Sequence, residues 1–478
     1  MSSTRSDFRF AHAPGALPGL GHALRIWRTP LSFLCSLPSQ GDLVRLRLGR
    51  QPVYVVCHPE LADQVLRDSH TFPKGGLGYT QTRTLLGDGL FTCPNAEHKR
   101  TRRLLQPPFQ RTRVADYIPA MVETADAVTG AWRSGVPCDV MREMTAVAAM
   151  IGVRTMFAAE ITEHYRDETQ ACIGEIIGGI HHEVLTSALG VRWLFPHRTR
   201  RFHRTLARYE QIIDAVILAY RRSGEDHPDI LSMLMTARDD AGEPMSDREV
   251  RDNVITMFTA ATAAGRASAM VWALHLLDRH PDIARRVRHE IDSVLGDEPP
   301  DIAALQRLEL TRQVVLETLR LYPHGWLIPR SVSTPVELAG QILPPGTNLL
   351  VSPYQLHRQP RLFPDPERFD PDRWATEDPG PREAYIPFGN GSRKCLGEAF
   401  ALTEIVVVLA RVLQSWTLHG QTASSRPAVP RVNTLLEAPP LVMTPQPRTS
   451  RSKQVNRPAQ TRSPGGADAR TYSEEGNS

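Results

Sequence analysis

The chain has 478 residues, of which 41% are hydrophobic and 23% charged, and a formal net charge of +4. This composition excludes a disordered chain, and the length exceeds that at which single cores usually divide, so two lobes or one large domain able to enclose a bulky cofactor are expected. The small basic surplus gives no grounds for nucleic acid as a partner, because much of it lies from Arg448 onward, where six basic residues face three acidic ones.

Residues 1–12 open with MSSTRSDFRF. They lack both the roughly 20 apolar residues that span a bilayer and the shorter core of a signal peptide, so a disordered N-terminus without a membrane anchor is expected. The segment APGALPGLGH (13–22) cannot form a helix interior and should lie extended on the surface. In LVRLRLGRQPVYVVC (43–57) apolar positions alternate on both sides of a Gly-Arg-Gln-Pro turn, the pattern of a β-hairpin.

From about 59 to 325 the pattern is mostly helical, interrupted by a Gly-rich loop from Lys74 to Gly89 and by turns such as Arg222 to Pro228. Ser246 and Glu249 frame a capping box, and a helical pattern then runs to about Asp278. At roughly 30 residues against a usual mean of about 11–12, that helix should cross the core. Its small, apolar middle, MFTAATAAG, suits close packing and gains a functional meaning if a cofactor lies against it. After residue 326 short strands and proline-rich turns follow, including LPPG (343–346) and FPDPERFDPDRW (363–374). A last helix from about Cys395 to Trp416 and strands to about Thr444 complete one integrated domain, 13–444. Residues 445–478 read as a disordered basic tail.

The cysteines, Cys35, Cys57, Cys93, Cys138, Cys172 and Cys395, show neither a CxxC pair nor zinc-like spacing and read as reduced thiols of a cytoplasmic protein. Cys172 reads as a core thiol. Cys395 stands apart in FGNGSRKCLG (388–397), at a loop-to-helix junction beside Arg393 and Lys394. Both the helix N-terminus and the two cations are expected to lower its pKa.

Phe388, Gly391, Arg393, Cys395 and Gly397 match FxxGxRxCxG position for position, and on these residues the chain resembles the cytochrome P-450 family of haem-thiolate monooxygenases. The resemblance implies a mainly α fold with a small β-rich lobe and haem b (iron protoporphyrin IX). It makes Cys395 the ligand of the iron, Phe388 a neighbour of the sulfur and Arg393 a propionate contact, with Gly391 and Gly397 letting backbone come close. A thiolate there favours O–O cleavage.

Glu317 and Arg320 in ETLR share a helix face, and such spacing alone is usually a solvated pair. The resemblance implies instead a buried pair met by Arg373 of PDRW, with a structural role in holding the loop of Cys395. In EHKRTRRLLQPPF (97–109), His98 and Arg102 lie one turn apart; by themselves these cations would read as a solvated basic face. The resemblance assigns them, with Arg330 of WLIPR, to the haem propionates. It also places Lys99 and Arg103 where an acidic ferredoxin or flavodoxin, served by an NAD(P)H reductase, would dock.

The family's long helix usually carries an acid and an alcohol that relay protons. Aligned on WALHLLDRHP, Ala264 stands for the acid and Gly265 for the alcohol, and neither side chain holds a proton. Thr262, about one turn earlier, is the candidate catalytic residue that orders a water. Three readings stay open: an O2-dependent monooxygenase with protons relayed by waters or substrate hydroxyls; a peroxide-using enzyme, in which an arginine of this helix holds a substrate carboxylate, although Arg266 sits one position away from that arrangement and no proline follows it; and a haem-binding protein without oxygenase activity. Segments similar to family substrate contacts are Thr80 to Phe91, Phe258, Ala261, Thr262, Leu327, Ile328, Leu435 and Leu436. They are mainly apolar and fit a hydrophobic small molecule. PGALPGLGH and HKRTRRLLQPPF are similar to soluble bacterial members that oxidise terpenoids in secondary metabolism, with fatty acids and polyketides as alternative substrates, and a cytoplasmic monomer is expected.

Overall fold

A computed structural model describes residues 8–76, 78–156, 168, 171–172, 175–176, 179, 182, 186, 195–223, 229–262, 265–376, 380–381, 383–420 and 428–448. The β-rich lobe is built on β1 (Phe10–His12), β2 (Leu43–Leu48) and β3 (Gln51–Val56), joined later in the chain by β5 (Ile328–Ser331) and β8 (Asn348–Val351) in the order β1-β2-β3-β8-β5. Between β5 and β8 lies the hairpin of β6 (Val336–Leu338) and β7 (Gln341–Leu343). The expected β2–β3 hairpin forms with Leu48 opposite Gln51, and Gly49 takes the positive φ of 60° that its two-residue turn needs. Alternation then sends Leu43, Val56, Leu349 and Val351 to one buried cluster and Val44, Leu46, Val53, Val55 and Leu350 to another, so both faces of the sheet are covered.

The N-terminus departs from expectation. Phe10–His12 pair in parallel with Leu43–Arg45, and Arg9 N donates to Asp42 Oδ2 at 2.9 Å. Three residues at a sheet edge carry too short an alternation to be read from sequence, and the pairing arises only once β2 exists. At the other end β12 (Val442–Pro447) runs three residues beyond Thr444, between β4 (Cys138–Asp139) and β9 (Trp416–Gly420). Arg448 then donates to Leu413 O at 2.6 Å and to Asp292 at 2.7 Å. The tail from 449 and the lead-in of residues 1–7 lie outside the described residues. A small hairpin of β10 (Arg431–Val432) and β11 (Leu436–Glu437) precedes β12.

The main helices are α1 (Pro59–Arg67), α2 (Tyr79–Leu86), α3 (Asn95–Leu105), α4 (Ile118–Thr129), α5 (Val140–Met156), α6 (Pro196–Ser223), α7 (Asp247–Thr262), α8 (Gly265–Arg279), α9 (Pro281–Val294), α10 (Glu309–Leu321) and α11 (Glu398–Ser415). Helix α2 lies inside the stretch expected to be a Gly-rich loop. Glycines bracket it, Gly78 at φ 76° and Gly87 at φ 65°, and so mask the helix-forming residues between them. The loop after it is fastened to α7: Asp88 N donates to Asp252 Oδ2 and Leu90 N to Asn253 Oδ1, each at 2.8 Å. A Cβ on Gly89 would sit 2.1 Å from the Thr256 hydroxyl, which is why this position takes glycine.

The capping box at the start of α7 forms as read, with Ser246 N donating to Glu249 Oε2 at 2.7 Å and Glu249 N to Ser246 Oγ at 3.3 Å. The run Asp247–Arg279 is long and apolar enough to cross a membrane, but 71% of that window is buried within the protein, as in a core helix. In α8 Ala267–Leu274, Leu276 and Leu277 are all buried in the large helical core, which α4, α5, α10 and α11 share.

Candidate functional site

The loop before α11 is shaped by one glycine. Gly391 has φ 71°, and a Cβ there would lie 2.4 Å from Leu66 O in α1, so no other residue fits without moving backbone. Asn390 donates to Asp63 Oδ1 at 2.6 Å, fixing the same loop to α1, and Cys395 N donates to Phe388 O at 2.9 Å. Helix α11 begins at Glu398, three residues past Cys395. Phe388 packs against the helical core, and the nearest atom to a Cβ on Gly397 is 3.9 Å away, in Phe109.

The Cys395 side chain is free and its surface is exposed, while the surrounding protein mass still desolvates it. Burial pushes its pKa up, against a hydrogen bond from the Gly397 backbone and the charges of Arg102 and Lys74. The expectation of a thiol lowered by Arg393 and Lys394 is overturned. Lys394 turns to Glu398 at 2.6 Å, and Arg393 donates to Cys93 O at 3.0 Å and Asn95 Oδ1 at 2.7 Å. Neighbours in the chain are not neighbours of the sulfur.

Behind the loop, Glu317 and Arg320 of α10 are fully buried and joined by two bonds of 2.8 Å. Arg373 Nε (3.1 Å), Trp374 Nε1 (2.9 Å) and Asp370 N (3.1 Å) also donate to the Glu317 carboxylate. Arg320 spends its other N–H groups on the carbonyls of His357, Pro366 and Arg368. A buried charge is tolerated only when satisfied in this way. His357 extends the frame: its Nδ1 meets Arg320 O at 3.0 Å, and its Nε2 accepts from Ile386 N at 3.0 Å, two residues before Phe388. Burial drives the pKa of this ring down to about 3, so it stays neutral. Tyr385 adds a bond to Leu316 O at 3.0 Å. Trp374, His357 and Tyr385 carry no spacing that the sequence could have revealed.

A second group gathers beside Cys395. His98 and Arg102 on α3, Arg330 on β5 and Arg393 before α11 converge as read, and Lys74, hidden in a Pro-Lys-Gly-Gly turn, joins them. Their mutual repulsion is legible in their protonation. Burial first, then Arg330 and Arg393, push Lys74 down to about 7. Burial and Arg393 push Arg330 down to about 10, and burial with three neighbouring cations pushes His98 to about 3. Among the described residues no carboxylate acts on any of the three, and the Nε atoms of Arg330 and Arg393 are buried without a hydrogen-bond partner. The buried guanidinium groups of Arg330 and Arg393, gathered with Lys74 and Arg102 and without an anion, call for one. The two propionates of a haem whose iron faces Cys395 would supply it, so the residues present fit that group.

On the face expected to meet a redox partner, Lys99 and Arg103 are both exposed, and Arg103 is paired with Asp240. Arg100 is taken by Asp239 at 2.7 Å and Glu249 at 2.5 Å.

Of the expected distal residues, Ala263, Ala264 and the side chains of Ala261 and Thr262 lie outside the described residues. Phe258 is buried in the helical core, 6.1 Å from the Tyr209 ring, and Leu436 is buried in a β-lobe cluster. Leu327, Ile328 and Leu435 are half-buried. Arg266 pairs with the fully buried Glu404 of α11 at 3.1 Å and donates to Ala148 O of α5 at 2.9 Å. Burial lifts Glu404 to about 7, with Arg266 opposing. A guanidinium engaged between two helices is not placed to hold a substrate carboxylate, which weighs against the peroxide-using reading.

Comparison with known proteins agrees with this geometry. The family model described as cytochrome P-450 matches residues 12–445. The chain is 41% identical to cyclooctatin synthase of Streptomyces melanosporofaciens, over 92% of its own length and 96% of the relative's. It is 41% identical to cyclooctat-9-en-7-ol 5-monooxygenase of the same organism (85% and 89%). To pentalenene oxygenase of Streptomyces avermitilis it is 38% identical (84% and 90%).

Proposed function

Since the chain belongs to the cytochrome P-450 family and is a haem-dependent monooxygenase, we propose that it carries haem b on the Cys395 thiolate and oxygenates a terpenoid of secondary metabolism. The observation that carries the cofactor reading is the cluster of Lys74, His98, Arg102, Arg330 and Arg393 beside a thiol that is free to ligate. Bound there, the haem supplies activation of O2, which thiolate ligation favours. The protein's own part is to bind and to orient. Glu317, Arg320, Arg373 and His357 fix the loop of Cys395, while the cations fix the propionate edge.

The substrate class rests on relatives named for terpenoid chemistry and on the half-buried apolar residues Leu327, Ile328 and Leu435. Electrons come from a ferredoxin or flavodoxin with its NAD(P)H reductase, docking near Lys99, and the enzyme works as a cytoplasmic monomer. Thr262 orders a water in the distal space. Titrating the haem protein with cyclic terpenes, terpene alcohols and fatty acids, read by the haem absorption shift, tests the substrate class; a shift with fatty acids alone would overturn it. Product formed with NADPH, reductase and ferredoxin, against none with peroxide alone, separates the monooxygenase route from the peroxide route.

The cation cluster makes its own prediction. Arg330→Leu should weaken haem binding about tenfold, read by haem transfer to apomyoglobin. The urea midpoint of the apoprotein should not fall, because the change removes a buried cation that has no anion.

A further inference from the structure

The first turn of α8 meets a side chain from a distant loop. A Cβ on Gly265 would lie 2.5 Å from Cδ2 and 2.8 Å from Nε2 of His324, so the imidazole fills the volume that a side chain at 265 would need. Two hydrogen bonds fix His324 to one residue of β11: Leu436 N donates to His324 O at 2.9 Å, and the ring's Nδ1 lies 3.1 Å from Leu436 O. A carbonyl oxygen only accepts, so Nδ1 carries the proton of the neutral ring. Burial drives the ring's pKa down to about 4, which keeps it neutral. Nε2 is thus a bare acceptor, and it is buried without a partner among the described residues. An acceptor left so is costly unless a donor reaches it.

We propose that Nε2 of His324 accepts a hydrogen bond from an O–H group, of an ordered water or of a substrate hydroxyl, and so restores beside the long helix the polar atom that Gly265 lacks. The ring and a helix alcohol exclude each other sterically, so the polar function has moved from the helix to the loop before β5. The inference rests on membership of the monooxygenase family and not on the terpenoid substrate.

Three haem-loaded variants test it. His324→Phe keeps a ring and removes Nε2, His324→Ala opens the volume, and His324→Ala with Gly265→Thr returns a hydroxyl to the helix. The first readout is the infrared C–O stretch of the reduced carbon monoxide complex, which senses polar groups around the ligand and needs no substrate. We expect His324→Phe to shift it and to raise severalfold the peroxide released per NADPH oxidised, with the double variant recovering part of both. If the donor is water, coupling falls alike for every substrate. If it is a substrate hydroxyl, the preference for a terpene alcohol over its parent hydrocarbon falls about tenfold. A His324→Phe enzyme with unshifted C–O frequency, unchanged peroxide share and unchanged preference overturns the proposal. Because the infrared readout is free of substrate, a failure of terpenoids to bind would count against the substrate class alone.

Discussion

Cys395→Ala should abolish the thiolate-shifted absorption of the reduced carbon monoxide complex and reduce product formation to background. Nothing nearby can replace the lost sulfur. The Cys93 thiol is covered, its pKa raised by burial, and it is already engaged by Arg393 at 3.7 Å. Burial raises the Cys395 pKa despite the Gly397 backbone bond and the charges of Arg102 and Lys74, so a bound metal would be needed to complete the shift to thiolate. Retention of the shifted band in the variant would refute Cys395 as the ligand. Thermal unfolding of the apoprotein separates loss of ligation from loss of fold, since the exposed thiol contributes little packing.

The second large effect is expected at Glu317. Glu317→Ala leaves Arg320 buried with an uncompensated charge and strips Arg373, the Trp374 indole and the Asp370 amide of their acceptor. Breaking a buried pair in this way costs about 3–5 kcal/mol, a large share of the stability of an ordinary domain. The variant should accumulate with little haem and a lowered urea midpoint. Asp372→Ala, one residue from Arg373, is the control. Its pair with Arg286 is half-exposed on both sides, and losing it should cost less than about 1 kcal/mol. Equal losses in the two variants would remove the structural role given to the buried carboxylate.

Much of the candidate site is legible in the sequence because its parts are local. The five residues from Phe388 to Gly397 sit within one loop, Glu317 and Arg320 on one helix turn, and the capping box of Ser246 and Glu249 within four residues. What escapes is made by contacts between distant segments. Lys74 feels the charge of Arg393 from a distant part of the chain, His357 links α10 to the loop of Ile386 through its ring, and His324 lies against Gly265 while bonded to β11. The charge environment of Cys395 misleads for the same reason: Arg393 and Lys394 precede it by two residues and one, but their side chains are committed elsewhere. Phe258 and Leu436, apolar residues at expected substrate positions, are also members of the buried clusters.

The bonds from Asp252 and Asn253 to the backbone of Asp88 and Leu90 have a mechanical consequence. They tie the segment after α2 to α7, so a displacement of one is resisted by the other. Before α2, Gly76 and Gly78 hold φ values of 84° and 76°, conformations that glycine adopts without strain. A ligand too wide for the resting shape would be felt first as torsion at those two glycines, and the long helix would register it in the same movement.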